Sequence, residues 1–182
     1  MYEGVAEKLQ DAIEIYYKWW VEKYPDQKIY SLCFFSEPSV SYAGVTVFTE
    51  EGLQKVAKEY KSLESFKSEN IDSLTKDLRW SACDAPHQCE NESIFENVNI
   101  DLSQIAEYTD SLEDDSKFNE HISVLYGLFV TALNGFRQSC LNDAQDIILS
   151  VWFGDQSEDE IGYFIKNCNG QELIERFYSE WN

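Results

Sequence analysis

Ile29-Tyr30-Ser31-Leu32-Cys33-Phe34-Phe35, the turn-rich link Ser36-Glu37-Pro38-Ser39-Val40-Ser41, and Tyr42-Ala43-Gly44-Val45-Thr46-Val47-Phe48 form the stretch on which the fold turns. Both runs are dense in β-branched and aromatic residues, and the short link predicts that they pair antiparallel as a hairpin. Thr49 follows where a helix N-cap belongs, and Glu50-Glu51 set negative charge against the positive end of the helix that begins there. Leu53, Val56, Ala57 and Tyr60 give that helix a buried stripe, with Lys55, Lys58 and Lys61 on a solvated face. Upstream, Val5, Leu9, Ala12, Ile13, Tyr16 and Trp20 recur at three- and four-residue spacing and predict an amphipathic helix, with Trp19 beside the stripe. Pro25 closes it, because the residue before a proline is pushed out of the helical region.

Downstream, residues 62–73 are polar and aperiodic and read as a linker, and Leu74 to Trp80 reads as a further strand. Residues 91–98 look like a helix start with Asn91 as cap, continued by Ile100, Leu102, Ile105, Ala106 and Tyr108. An acidic turn spans 110–116. The strongest helical period follows: Phe118, Ile122, Leu125, Tyr126, Phe129, Leu133 and Phe136 predict a central helix with one wholly apolar face. Residues 146–153 are apolar almost throughout, which suits a central strand covered on both faces. Ser157 with Glu160 makes a capping box for a helix carrying Ile161, Phe164, Ile165 and Cys168. Asn169-Gly170 reads as its left-handed C-cap. Leu173, Ile174 and Phe177 belong to a last helix onto which Trp181 folds back. The whole, residues 1–182, reads as a single α+β domain: one mostly antiparallel sheet of about four to six strands backed by helices.

A chain of 182 residues with 43% hydrophobic and 15% aromatic residues can bury one substantial core. Fourteen basic against 34 acidic residues give a net charge of -20, which repels nucleic acid and anionic membranes and attracts basic proteins; plain solubility is the bland alternative. Residues 1–8 carry no secretory pattern, no apolar run is long enough to cross a bilayer, and five scattered cysteines suit free thiols in a reducing compartment. The expected location is the cytoplasm.

The chemically densest stretch is Arg79-Trp80-Ser81-Ala82-Cys83-Asp84-Ala85-Pro86-His87-Gln88-Cys89-Glu90, read as an ordered loop leaving a strand. Trp80, Cys83, Asp84, His87 and Cys89 are its residues of interest. Cys83, His87 and Cys89 present thiolates and an imidazole that suit zinc, but the spacing departs from the usual pairs and a closed site needs a fourth ligand. A Cys–His nucleophilic pair with Asp84 as orienter is a second reading. In the structural reading Trp80 packs the loop down, Pro86 fixes its path and His87 makes one hydrogen bond. His121 sits beside the apolar helix face and reads as a boundary residue. No catalytic, metal or cofactor site is assigned, and the chain reads as a binding protein more readily than as an enzyme. Asp110, Glu113, Asp114 and Asp115, with Asp155, Glu158, Asp159 and Glu160, form the expected negative surface for a basic partner.

Residues 79–87 resemble the W-S-P-C-D-W-P-Y-H pattern of a bacterial family known as domain of unknown function 4303, and Phe95-Glu96-Asn97-Val98-Asn99 follows as in that family. Residues 147–155, Glu172-Leu173-Ile174-Glu175-Arg176-Phe177 and Thr49-Glu50-Glu51-Gly52-Leu53 are similar to it as well. Ala82 stands where the family often has proline, and Ala85 where it often has tryptophan. The resemblance implies proteins encoded beside polymorphic toxins, where small acidic proteins serve as immunity partners. It implies a domain that neutralises a nuclease-type toxin by occupying its basic surface; the alternative is a metal-dependent or small-ligand-binding protein using the Trp80–Cys89 loop.

Overall fold

A computed structural model describes residues 2–141 and 146–181. The elements follow in the order α1 (Val5–Lys23), β1 (Ile29–Ser36), β2 (Gly44–Thr49), α2 (Glu50–Ser62), α3 (Ile71–Leu78), β3 (His87–Gln88), α4 (Glu96–Asp110), α5 (Asp115–Cys140), β4 (Ile148–Phe153), α6 (Glu158–Cys168) and α7 (Gln171–Trp181). A single four-stranded sheet runs β3-β2-β1-β4. The hairpin forms as expected, with Phe34 opposite Val45 and Leu32 opposite Val47. β3 adds antiparallel to β2, and β4 lies parallel to β1.

Both faces of the sheet are covered, so the period of two sorts side chains into two cores, broken only at Tyr30, where the register of β1 against β2 shifts. Leu32, Phe34, Val45, Val47, Leu149 and Val151 meet α1, α4 and α5 on one face. Tyr30, Cys33, Phe48, Ile148 and Trp152 meet α2, α3, α6 and α7 on the other. Cys33 is wholly buried, and burial pushes its thiol up to about 12. No helix among the described residues is long and apolar enough to cross a membrane.

β4 is an edge strand, not a central one. All six of its residues are nevertheless buried, because α6 lies along the edge and feeds Phe164 and Cys168 into one core and Ile161 and Ile165 into the other. Side-chain amides take the place of a neighbouring strand. Leu149 N–H donates to Asn169 Oδ1 at 2.9 Å, and Asn169 Nδ2 donates back to the Leu149 carbonyl at 2.8 Å. Gln156 Nε2 donates to the Val151 carbonyl at 3.1 Å, and Arg137 Nη2 to that of Ile147 at 2.9 Å. Such capping removes the open ladder that invites edge-to-edge association. It also explains a second correction. Asn169 is extended, with φ -133°, and not left-handed, because its amide must reach strand and helix together.

The expected strand at Leu74–Trp80 is instead the end of α3 and the turn after it. The Asn70 side chain caps that helix by accepting from Asp72 N–H, and Leu74 and Leu78, four apart, face the core. The expected linker therefore holds a 3-10 turn at Glu64–Phe66 and the first turn of α3. Asn91 is left-handed, with φ 51°, and makes no side-chain cap; a 3-10 turn at Glu92–Phe95 leads into α4. The Thr49 cap and the Ser157–Glu160 capping box form as expected. Trp181 stacks on Phe177 and Trp152. On α5, Leu125, Phe129, Leu133 and Phe136 are buried, whereas Phe118 is exposed and Ile122 and Tyr126 are half-buried.

Candidate functional site

The stretch 79–90 leaves a helix, not a strand, and its side chains are tied inward one by one. Arg79 Nη1 and Nη2 donate to the two Glu50 oxygens at 2.9 and 2.7 Å, and its Nε to Glu180 at 2.6 Å. This fork holds the Glu50 carboxyl below the usual carboxylate range. The guanidinium lies 4.3 Å from the Tyr30 ring centroid, and the Tyr30 hydroxyl donates to the Arg79 carbonyl at 2.6 Å. Trp80 is buried edge-on against Tyr30 and Phe177. Asp84 accepts from Ser81 Oγ at 2.5 Å and from the Tyr60 hydroxyl of α2. Pro86 packs on Gly52, where a Cβ would sit 2.4 Å from the proline ring.

Both ring nitrogens of His87 lie against side-chain oxygens. Its Nδ1 is 2.9 Å from Glu90 Oε1 and its Nε2 is 2.9 Å from Gln27 Oε1, which also accepts from Thr49 Oγ1 at 2.7 Å. Glu90 receives Lys23 Nζ at 2.7 Å and the Tyr24 hydroxyl at 2.9 Å. Burial works against its charge, but the bonds from Lys23, His87 and Tyr24 outweigh that and lower its pKa. With both ring nitrogens engaged, His87 has no nitrogen free for a metal or a nucleophile. Cys89, at φ 50°, is pushed up to about 11 by burial, and next by Glu92, so its thiol stays protonated near neutrality. Cys83 is exposed. Among the described residues no three His, Cys, Asp or Glu side chains gather as a metal set. What the loop does is strap α2 to the sheet and to the end of α1.

The acidic groups have a different setting. α5 runs antiparallel to β4: Arg137 sits at the start of the strand and Tyr126 stacks on Phe153 at its end. The Tyr126 hydroxyl donates to Glu160 at 2.8 Å, which fixes the first turn of α6 beside α5. Burial opposes the Glu160 charge, yet bonds from Ser157 and Tyr126 prevail and lower its pKa. Asp115 lies eleven residues before Tyr126, about 17 Å further along the helix axis. Asp110, Glu113, Asp114, Asp115, Asp155, Glu158 and Asp159 are all exposed, and both groups stand at the end of the molecule where β4 runs out. Asp114 additionally caps α5 by accepting from Ser116 and Lys117 N–H. Residues 80–165 carry 17 acidic and two basic side chains, a net -15 of the total -20; the other twelve basic residues are interleaved with 17 acids over the rest.

His121 is not a boundary residue. It is 5% exposed, with Nε2 2.7 Å from Thr109 Oγ1 and Nδ1 on the Tyr2 hydroxyl. Burial lowers its pKa. The hub at Glu90, with Lys23, Tyr24 and Gln27, was not among the sequence candidates. Its parts are far apart in the chain, and only the spacing of Glu90 three residues after His87 hints at it.

A mixed sheet faced on both sides by helices carries a strapped internal loop and two exposed acidic groups. The chain belongs to the family described as Domain of unknown function (DUF4303), whose pattern matches residues 9–165. Neither the curated proteins nor the solved structures contain a match to it.

Proposed function

We propose that this chain is a protein-binding domain whose acidic end docks on a basic protein partner, in the manner of an immunity protein that covers the cationic active surface of a nuclease-type toxin. The concentration of charge carries the reading. Asp110, Glu113, Asp114 and Asp115 lead into α5, Asp155, Glu158, Asp159 and Glu160 lead into and open α6, and the antiparallel run of α5 and β4 brings both groups to one end of the fold. Asp115 stands about 17 Å along the α5 axis from Tyr126, which bonds Glu160, roughly two screening lengths at physiological salt, so a small ion meets one group and a partner protein meets both. Such a surface sets the encounter rate and excludes nucleic acid from a basic site once docked. Capture from the source cell at low salt tests it: a basic protein should bind the wild type and be released at about 1 M salt, where the screening length falls to about 3 Å. Recovery of no basic protein, together with no growth rescue on co-expression with a neighbouring toxin gene, defeats the proposal.

A second reading, a small-ligand binder, is favoured by a cleft of 350 Å³ lined by Lys76, Asp77, Trp80, Ser81, Glu180 and Trp181. Two tryptophans beside polar groups suit a planar ligand. A ligand that raises the unfolding temperature of the wild type and not of Trp181→Ala would support it.

A further inference from the structure

The apolar stripe of α5 is longer than the structure that covers it. α6 lies parallel to α5, with Glu160 beside Tyr126 and the Asn167 carbonyl bonded by Asn134. Beyond the start of α6, α5 continues toward its N-terminus for eight residues, from Tyr126 to Phe118, or about 12 Å. Phe118, Ile122 and Tyr126 are spaced i, i+4, i+8 and so share one face. Further along, Phe164 of α6 packs on Tyr126 and closes that face. At Phe118 the face is open: its side chain is 38% exposed, Ile122 is half-buried, and Tyr163 of α6, packed against Tyr126, is 39% exposed. The helix tips on either side of this ridge carry Asp114, Asp115, Glu158 and Asp159, all exposed.

The geometry points to this ridge as the seat of a basic amphipathic helix from the partner, laid end-on to α6 with its apolar side on Phe118 and Ile122 and its cationic side toward the flanking carboxylates. The inference rests on the proposed acidic-end reading and adds where affinity is generated. Two open turns at helical spacing match the anchor pattern of a helix in a groove. An acidic rim around an aromatic centre is complementary to lysine and arginine around an aliphatic centre. Aromatic residues at the middle of an interface carry binding energy, while rim charges govern approach.

The probes are two synthetic peptides of equal charge, a leucine–lysine peptide of helical period and oligolysine, titrated into the full chain. The wild type should bind the amphipathic peptide about tenfold or more tighter than oligolysine. Phe118→Ser and Tyr163→Ser should bring the two affinities together and leave oligolysine binding unchanged. The combined variant Asp114→Lys/Asp115→Lys/Glu158→Lys/Asp159→Lys, the lysine variant, should weaken both peptides. In the unmodified protein, amide and side-chain NMR shifts on titration should centre on Phe118, Ile122 and Tyr163. Equal affinity of the wild type for both peptides, or shifts centred elsewhere, overturns the ridge. If the wild type shows no amphipathic preference but the lysine variant still weakens oligolysine, the ridge alone falls. If the lysine variant changes nothing, the acidic-end reading falls with it.

Discussion

The Trp80–Cys89 loop and the acidic end of α5 and α6 are opposites. The loop gathers scarce residue types, and three of its five residues of interest are held internally, Trp80 by Tyr30 and Phe177, Asp84 by Ser81 and Tyr60, His87 by Gln27 and Glu90, while Cys83 stays exposed. The acidic end holds ordinary aspartates and glutamates, and most of them face water. Side chains held by packing or hydrogen bonds inside the fold have little surface left for a ligand, whereas exposed like charges cost stability and stay available to a partner. The two regions should therefore answer mutation in opposite ways, the loop through stability and the acidic end through binding.

The largest effect expected is at the loop's root. Trp80→Ala should lower stability by about 3–5 kcal/mol, read from denaturant midpoints at unchanged m-value. A loss under about 1 kcal/mol would mean the loop is not a strap. Arg79→Met should follow, at about 3 kcal/mol, because it leaves Glu50 part-buried without its bidentate cation and Glu180 with Arg176 alone. Gly52→Ala should cost about 1–3 kcal/mol, since the added Cβ meets Pro86 at 2.4 Å and the Thr49 hydroxyl at 2.7 Å.

A smaller effect is read through pH at His121. Burial holds His121 below its usual 6.5, so the folded state binds fewer protons than the unfolded chain. Its contribution is complete above pH 6.5 and is lost as pH falls below that value toward the folded pKa. Tyr2 and Thr109 face it with hydroxyls, Tyr108 with its ring, and Glu120 lies near Tyr2. The lowered carboxyls of Glu50, Glu90 and Glu160 lose their contributions only below 4.5. Urea unfolding between pH 7.5 and 5.5 should show a slope that His121→Gln diminishes; an unchanged slope would refute the assignment. The smallest stability effects belong to the acidic end: Asp155→Lys and Asp159→Lys should shift stability by no more than about 0.5 kcal/mol, by thermal or chemical unfolding.

Local signals were legible in the chain and long-range ones were not. The hairpin at 29–48, the Thr49 cap and the Ser157–Glu160 box are written within a few residues of one another, and each formed. The strand expected at 74–80 did not form because Asn70, within the segment read as linker, caps a helix that makes Leu74 and Leu78 neighbours on one face. β4 looked central because its burial is complete, but a helix and the amides of Asn169 and Gln156 can close an edge as well as a strand can. Periodicity located the α5 stripe and could not say where its cover ends, so Phe118 read as core. Likewise the acidic groups were visible as residues, but only the antiparallel run of α5 and β4 brings 110–115 and 155–160 to one end. Glu90 was invisible as a hub because Lys23, Tyr24 and Gln27 come from more than sixty residues away.

The most direct test of the contrast is capture of the partner from the source cell at low salt with three baits: the wild type, a variant with lysine at Asp110, Asp114, Asp155 and Asp159, and Cys83→Ser/Cys89→Ser. The same basic protein should be retained by the wild type and the thiol variant and lost from the charge-reversed one. Retention on the charge-reversed bait, or loss from the thiol variant alone, would place the function in the loop and contradict the account.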